Sequence, residues 1–338
     1  MDPGPDDLLY GARPMKRIML AKEIDLPPYH LSIVARNLTD RKAQWAKERE
    51  SGIPGPETKR WKDPAPDDPR GSLIIRVDSA GAVVASTSCG LAHGLLPVDD
   101  RVLSAHHGEI RSYSTDLREY RTFTSLAAFN DLHTLRKTPN GVLVASSGTD
   151  SIFEIADDGR KIVWSWWARE HGFTTDPNGV ERGPEKSTDH RNFFYNTWQR
   201  TTHVNSALMF DSRTVLATFF HQGILCAIDR ASGRVTPIVS DLRRPHALRW
   251  SADGKITFAD TGRGVAHRGT ISGNRFIKEN SIFIETNWLQ DCQYVNSMWI
   301  LVDAEHARLY FADLEQNILA YDQFDADWDF FEVSLIGA

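Results

Sequence analysis

Along this chain, apolar and polar positions alternate in short runs instead of recurring at helical spacing, the pattern of strands and hairpins. One phrase recurs: an apolar run, a polar turn, then a second apolar run ending in a small residue. It reads HGLLPVDDRVLSA at 93–105, HTLRKTPNGVLVA at 133–145, HVNSALMFDSRTVLA at 203–217, HALRWSADGKITFA at 246–259 and NSMWILVDAEHARLYFA at 296–312. A second hairpin follows at 151–166, 223–239 and 317–333, and GSLIIRVDSAGAVVAS at 71–86 is another, with HLSIVARN at 30–37 as its expected partner. Asn140-Gly141 and Asp253-Gly254 are hairpin turns between apolar strands. Four antiparallel strands in units of about 40 residues are the signature of a propeller blade.

The spacing predicts an all-β, six-bladed β-propeller of four-stranded blades with two loop or helical insertions. His93 and His133 are 40 residues apart, His203 and His246 are 43, and His246 and Asn296 are 50. The longer gaps, 63 from His30 to His93 and 70 from His133 to His203, hold the insertions at about 38–70 and 168–200. Blades then start near 30, 93, 133, 203, 246 and 296, all within a single domain spanning 1–338. KRIMLAKEID at 16–25 is expected to close the ring as an outer strand against blade six. The second hairpin of blade five is weakly marked. The 168–200 segment, with Phe193, Phe194, Tyr195 and Trp198, is expected to form an ordered lid.

Histidine opens the first strand of five expected blades, and Asn296 stands in that register in the sixth. The innermost strand of a blade lines the central channel, so its first residue lies at one mouth. His93, His133, His203 and His246 are therefore candidate metal ligands; neutral imidazoles on separate rigid strands suit zinc, iron or copper and leave positions open for substrate. His203, His246 and His30 are candidate catalytic groups, since imidazole moves protons or attacks near neutral pH. Asn296, His106, His107, His221 and Arg263 are candidate substrate contacts. His171, His190, His267 and His306 read as exposed loop residues, and the tryptophans at 164, 166 and 167 as inter-blade packing.

Composition narrows the classes. Thirty-nine Lys and Arg against 45 Asp and Glu leave a net charge of −6, without the basic excess of a nucleic-acid-binding face. The three cysteines form no CxxC pair, so no disulfide framework is expected. No apolar run approaches the roughly 18 residues of a membrane span, and the first residues lack the form of a signal peptide. A cytoplasmic protein with a small-molecule substrate is expected, with no nucleic-acid or membrane partner. GxGxxG, GxxxxGK[ST], GxSxG and HExxH are all absent, so no nucleotide cofactor is indicated.

The phrases DLHTLRKTPNGVLVASSGTDSIFEIADDGRKIVWSW and THVNSALMFDSRTVLATFFHQGILCAID resemble bacterial arylsulfotransferase-type propellers. The resemblance implies six blades and a channel-mouth histidine, carried onto His203, His246 and His133, as nucleophile or acid. That family places a sulfate-holding Arg where this chain reads Ala217-Thr218-Phe219-Phe220-His221. The leading expectation is a metal-dependent lyase, isomerase or oxygenase acting on a small organic molecule. The alternatives are metal-free group transfer from a channel histidine and a non-catalytic propeller that binds a protein.

Overall fold

A computed structural model describes residues 15–21, 24–50, 59–65 and 67–337. Six antiparallel sheets form the ring. From the innermost strand outward, blade two is Ala92–Val98, Arg101–His106, Ile110–Ser114 and Tyr120–Thr124. Blade three is Leu132–Thr138, Gly141–Ser146, Ser151–Ala156 and Ile162–Trp167. Blade four is Val204–Met209, Thr214–Phe219, Ile224–Asp229 and Val235–Val239. Blade five is His246–Trp250, Ile256–Asp260, Val265–Ser272 and Arg275–Phe283. Its outer hairpin, faint in the sequence, is the longest in the molecule's ring, with eight and nine residues in its strands.

Blades one and six differ from the expected register. The innermost strand of blade one is the C-terminal Asp329–Leu335, followed outward by Tyr29–Ala35, Ser72–Val77 and Val83–Cys89. The ring is thus closed inside blade one, where C-terminal and N-terminal strands pair. The reason lies in 324–328: Phe324 N–H donates to Ala307 O and Trp328 N–H to Asp325 O, so the chain turns out of blade six before its last strand begins. Asp329–Leu335 is buried along almost its whole length, as a strand between the channel and its own blade must be.

Blade six is Leu289–Val295, Met298–Asp303, Arg308–Ala312 and Ile318–Gln323. Lys16–Met19 adds a fifth, outermost strand, paired with Ile318–Gln323. That segment does lie against blade six, as expected, but it does not close the ring. Asn296 is not a strand opener: Asn296 and Ser297, both at positive φ, turn the chain between the first two strands of blade six.

The innermost strands pack side by side around the axis, and apolar faces fill the wedges between blades. Trp166 stacks on Phe219 of blade four, while Trp167 packs on Phe153 within blade three. Cys89, Cys226 and Cys292 are buried free thiols. The first insertion opens with a helix, Leu38–Glu50, and its residues 51–58 and 66 lie outside the described residues. Lys59–Arg60 of the first insertion pairs with Phe193–Phe194 of the second. Among the described residues, no helix is long and apolar enough to cross a membrane.

Candidate functional site at one mouth of the channel

The innermost strands of blades two to six each shift register within their first few residues, for instance between Leu132 and Leu135. Such bulges re-aim side chains and recur beside functional sites. Here they stand at the mouth that carries His93, His133, His203 and His246, each only 5–6% exposed. The innermost strands of blades six and one, which carry no histidine, place Gln290 and Phe331 beside the channel. Blade two approaches blade three closely, because a Cβ on Gly94 would stand 2.2 Å from His133 O. Only glycine allows that approach.

Three of the four histidines form a cluster. The ring of His133 lies 4.7 Å from that of His93 and 5.1 Å from that of His203. Its Nε2 is 3.2 Å from His203 Nε2. Asp131 joins them: one donor atom from each of His93, Asp131 and His133 can be chosen within 4.8 Å of the others. Nδ1 of His93 faces Leu132 O at 2.9 Å, and Nδ1 of His133 faces Asp131 O at 3.1 Å. Those contacts place a proton on each Nδ1 and leave the Nε2 lone pairs for an ion, the usual support of a metal-bound imidazole.

His246 stands apart. Phe220 separates it from His203, stacking on His203 at 4.8 Å and meeting His246 edge-on at 5.7 Å. His246 Nδ1 is held by Arg244 O at 2.8 Å and Thr261 Oγ1 at 3.0 Å. The four expected ligands are thus not brought to one point; His93, Asp131 and His133 form a group that could hold an ion, with His203 adjoining.

Two acidic residues organise this cluster. Asp131 Oδ2 accepts from Arg200 Nη2 at 2.5 Å, and Arg200 Nη1 lies 3.3 Å from His203 Nε2. Asp150 accepts from the backbone N–H of Thr201, Thr202 and His203, which fixes His203 at a φ of +47°. Asp131 and Asp150 are themselves in the left-handed region, at +50° each. Burial pushes the Asp131 carboxyl up, but Arg200 and the neighbouring imidazoles pull it net below the usual carboxylate range. Burial drives His93 down, drives His133 and His203 well below the ordinary imidazole value, and brings His246 to about 4. All four imidazoles are neutral at pH 7, the form that binds metal.

Below the mouth the channel is plugged by charge. Glu332 accepts from Arg136 and Arg249 at 2.7 Å each, and Arg249 also pairs with Asp291. The space left beside them, about 10 Å³ lined by Thr134, Arg136, Asn205 and His246, takes no more than one water.

The other sequence candidates lie elsewhere or hold the cover in place. His30 is on the second strand of blade one, paired with Ser334 at the far end of the blade, with Nε2 on Thr115 O. Asn296 is at that same far end. His106 is enclosed beside Tyr113. His107 donates through Nε2 to Phe193 O and stacks on Trp61, while His221 Nε2 reaches Thr197 O. Both tether the second insertion. Arg263 forms ion pairs with Asp260 and Asp241 on the rim. His190, expected to be exposed, is fully buried between Tyr195 OH and Glu185 O. Asp131, Asp150 and Arg200 were not singled out by the sequence. The one signal for Asp131 is its place two residues before His133 in DLHTL.

No protein-family model matches the chain, and no curated protein matches it. Its fold is similar to that of a protein of unknown function from Bacteroides caccae, with a TM-score of 0.58 and 10% identity over 92% of this chain and 100% of that one. A chain of a nidogen/laminin complex gives 0.58 and 9% identity over 90% and 97%. Virginiamycin B lyase from Staphylococcus aureus gives 0.45 and 12% identity over 68% and 69%. The likeness is one of fold alone.

Proposed function

We propose that this mouth is the active site of a metal-dependent enzyme acting on a small organic molecule. His93, Asp131 and His133 would be ligands and His203 the fourth. The observation that carries this reading is the 3.2 Å separation of His133 Nε2 and His203 Nε2. Two nitrogens on one tetrahedral ion, with bonds of about 2.0–2.1 Å, stand about 3.3 Å apart. A hydrogen-bond account is less satisfactory. His133 carries its proton on Nδ1 and Arg200 donates toward His203 Nε2, so two lone pairs would face each other. Among the described residues, His203 Nδ1 is buried without a hydrogen-bond partner.

Two or three imidazoles with one carboxylate suit zinc or iron and leave coordination positions open. A bound ion would polarise an oxygen of the substrate or lower the pKa of a water. The residues of this chain do the rest. Arg200 holds Asp131 in place through Oδ2, while Oδ1 lies 3.6 Å from His93 Nδ1. The 168–200 insertion covers one side of the mouth and excludes water. His246, neutral and fixed through Nδ1, faces the mouth with Nε2 able to accept a proton. The reaction belongs to lyase, isomerase or oxidative chemistry.

Elemental mass spectrometry of untagged protein, purified without chelator, tests this reading beside His133→Ala and His203→Ala. Near one equivalent of a transition metal in the wild type, lost in both variants, is the expected result. No metal after reconstitution sinks the reading and favours metal-free transfer from a channel histidine.

A further inference from the structure

Beneath the mouth, the channel holds more hydrogen-bonding capacity than its own residues use. The Arg136 guanidinium is engaged on one side only: Nε donates to Leu248 O at 3.0 Å and Nη1 to Glu332 Oε1 at 2.7 Å. Among the described residues, its Nη2 is buried without an acceptor. Thr134 Oγ1, on the same strand of blade three, and Asn205 Oδ1, on the first strand of blade four, are likewise buried without a partner. Arg136, Thr134 and Asn205 are 7%, 4% and 1% exposed, so bulk solvent does not serve them. All three line the same space of about 10 Å³ in the channel. A buried polar group left unmatched loses more than a made hydrogen bond gains, so such groups nearly always have a partner.

The chemistry of the three atoms fixes what that partner must do. A guanidinium N–H only donates. Asn205 presents its oxygen, because its Nδ2 donates to Pro245 O at 3.1 Å, and the flipped amide would set two acceptors against each other there. Thr134 Oγ1 can do either. The occupant therefore accepts at least one hydrogen bond and donates at least one. A halide cannot donate to Asn205, and a metal cation cannot accept from Arg136. Fixed charge calls for no ion either, since Arg136 and Arg249 are matched by Glu332 and Asp291. The remaining oxygens of those carboxylates accept from the backbone N–H of Leu95 and Val333. The space suits a single water, and three polar partners are the usual number for a buried one.

We propose that the channel carries one structural water, which accepts from Arg136 Nη2, donates to Asn205 Oδ1 and completes its shell on Thr134 Oγ1. It ties blade three to blade four beneath the histidine cluster. Through Asn205 it reaches Pro245, the residue before His246, so the ion pairs of the plug and the entry to blade five share one network. The site is built from protein groups alone and does not depend on a metal at the mouth.

Crystallography at atomic resolution, on metal-free protein crystallised in chloride and in bromide, tests this site. One density peak should lie about 2.7–3.2 Å from each of the three atoms. It should be the same in both salts and give no anomalous signal at the bromine edge. Asn205→Leu, which keeps the size of the side chain and removes the acceptor, should lose the peak. A dry channel in wild type, an anomalous bromide peak, or Arg136 Nη2 and Asn205 Oδ1 paired instead with protein groups overturns the proposal. So does a peak of undiminished occupancy in folded Asn205→Leu. The wild-type maps decide even if the variant does not fold. Because the protein is metal-free, failure of the metal reading leaves this result untouched.

Discussion

At His133 three requirements meet in one residue: its Nδ1 is fixed on a backbone carbonyl, its Nε2 faces His203, and its ring is shielded by Phe331. Burial makes the charged form of such a ring costly, so the hub histidines stay neutral where exposed ones would titrate. The consequence for stability has a definite sign. An unfolded histidine binds a proton near pH 6.5, whereas folded His246 does so only at about 4. Between those values the unfolded chain holds more protons, so stability is full above about pH 6.5 and falls as the pH drops through that window. The loss is up to about 1.4 kcal/mol per pH unit for each such histidine. Urea unfolding of metal-free protein between pH 7.5 and 5 should show it, and His246→Phe should flatten the slope by about one proton. Asp131→Asn addresses the neighbouring charge. It leaves Arg200, only 2% exposed, without its carboxylate, and should cost about 3–5 kcal/mol in denaturant unfolding while also lowering metal retention.

At the scale of elements, the closing strand governs the ring. Asp329–Leu335 pairs with Tyr29–Ala35 and brings Glu332 into the channel, where it accepts from Arg136 of blade three and Arg249 of blade five. Truncation after residue 328 would remove that strand together with the shared anion. It should abolish the cooperative thermal transition and the near-ultraviolet circular dichroism, whereas Arg17→Ala, which removes the ion pair of the outermost strand with buried Asp322 but keeps the closing strand, should leave a cooperative transition at lower temperature. The same strand explains where the sequence was readable. Blades two to five announce themselves because a histidine, an apolar run and a turn recur within one continuous stretch of chain. Blade one joins strands some 300 residues apart, and no local pattern records that pairing. DFFEV at 329–333 was therefore read as the end of a blade-six hairpin, and the register of His30 and Asn296 slipped with it. The site followed the same division. Histidines on inner strands were legible by phase, but Asp131, Asp150 and Arg200 sit in loops, where position depends on left-handed backbone and cross-blade contacts that periodicity does not encode.

For the whole molecule, a metal at the hub would act as a staple between blades, because its ligands come from the inner strands of blades two and three and the residues leading into three and four. An ion bound by the folded state and not by the unfolded chain stabilises by about 2.7 kcal/mol at a hundred times its dissociation constant. With an unfolding entropy of about 2.1 cal/mol/K per residue, a chain of this length should gain about 4 °C in Tm. The ring geometry makes the gain specific. Zinc or ferrous ion added to metal-free wild type should raise Tm by that amount at pH 7.5 and still do so at pH 5.5, because burial keeps the folded hub imidazoles neutral and protonation of the unfolded chain lowers the metal-free and metal-bound baselines alike. His133→Ala should show no metal-dependent rise, because it removes the imidazole shared by the His93 and His203 contacts. Arg263→Gln, whose ion pairs lie on the rim, should respond like wild type. Differential scanning calorimetry with and without metal reads all three proteins. A rise that persists in His133→Ala would place the ion outside the hub, and the neutral imidazoles at the mouth would then be a packed polar centre without a metal.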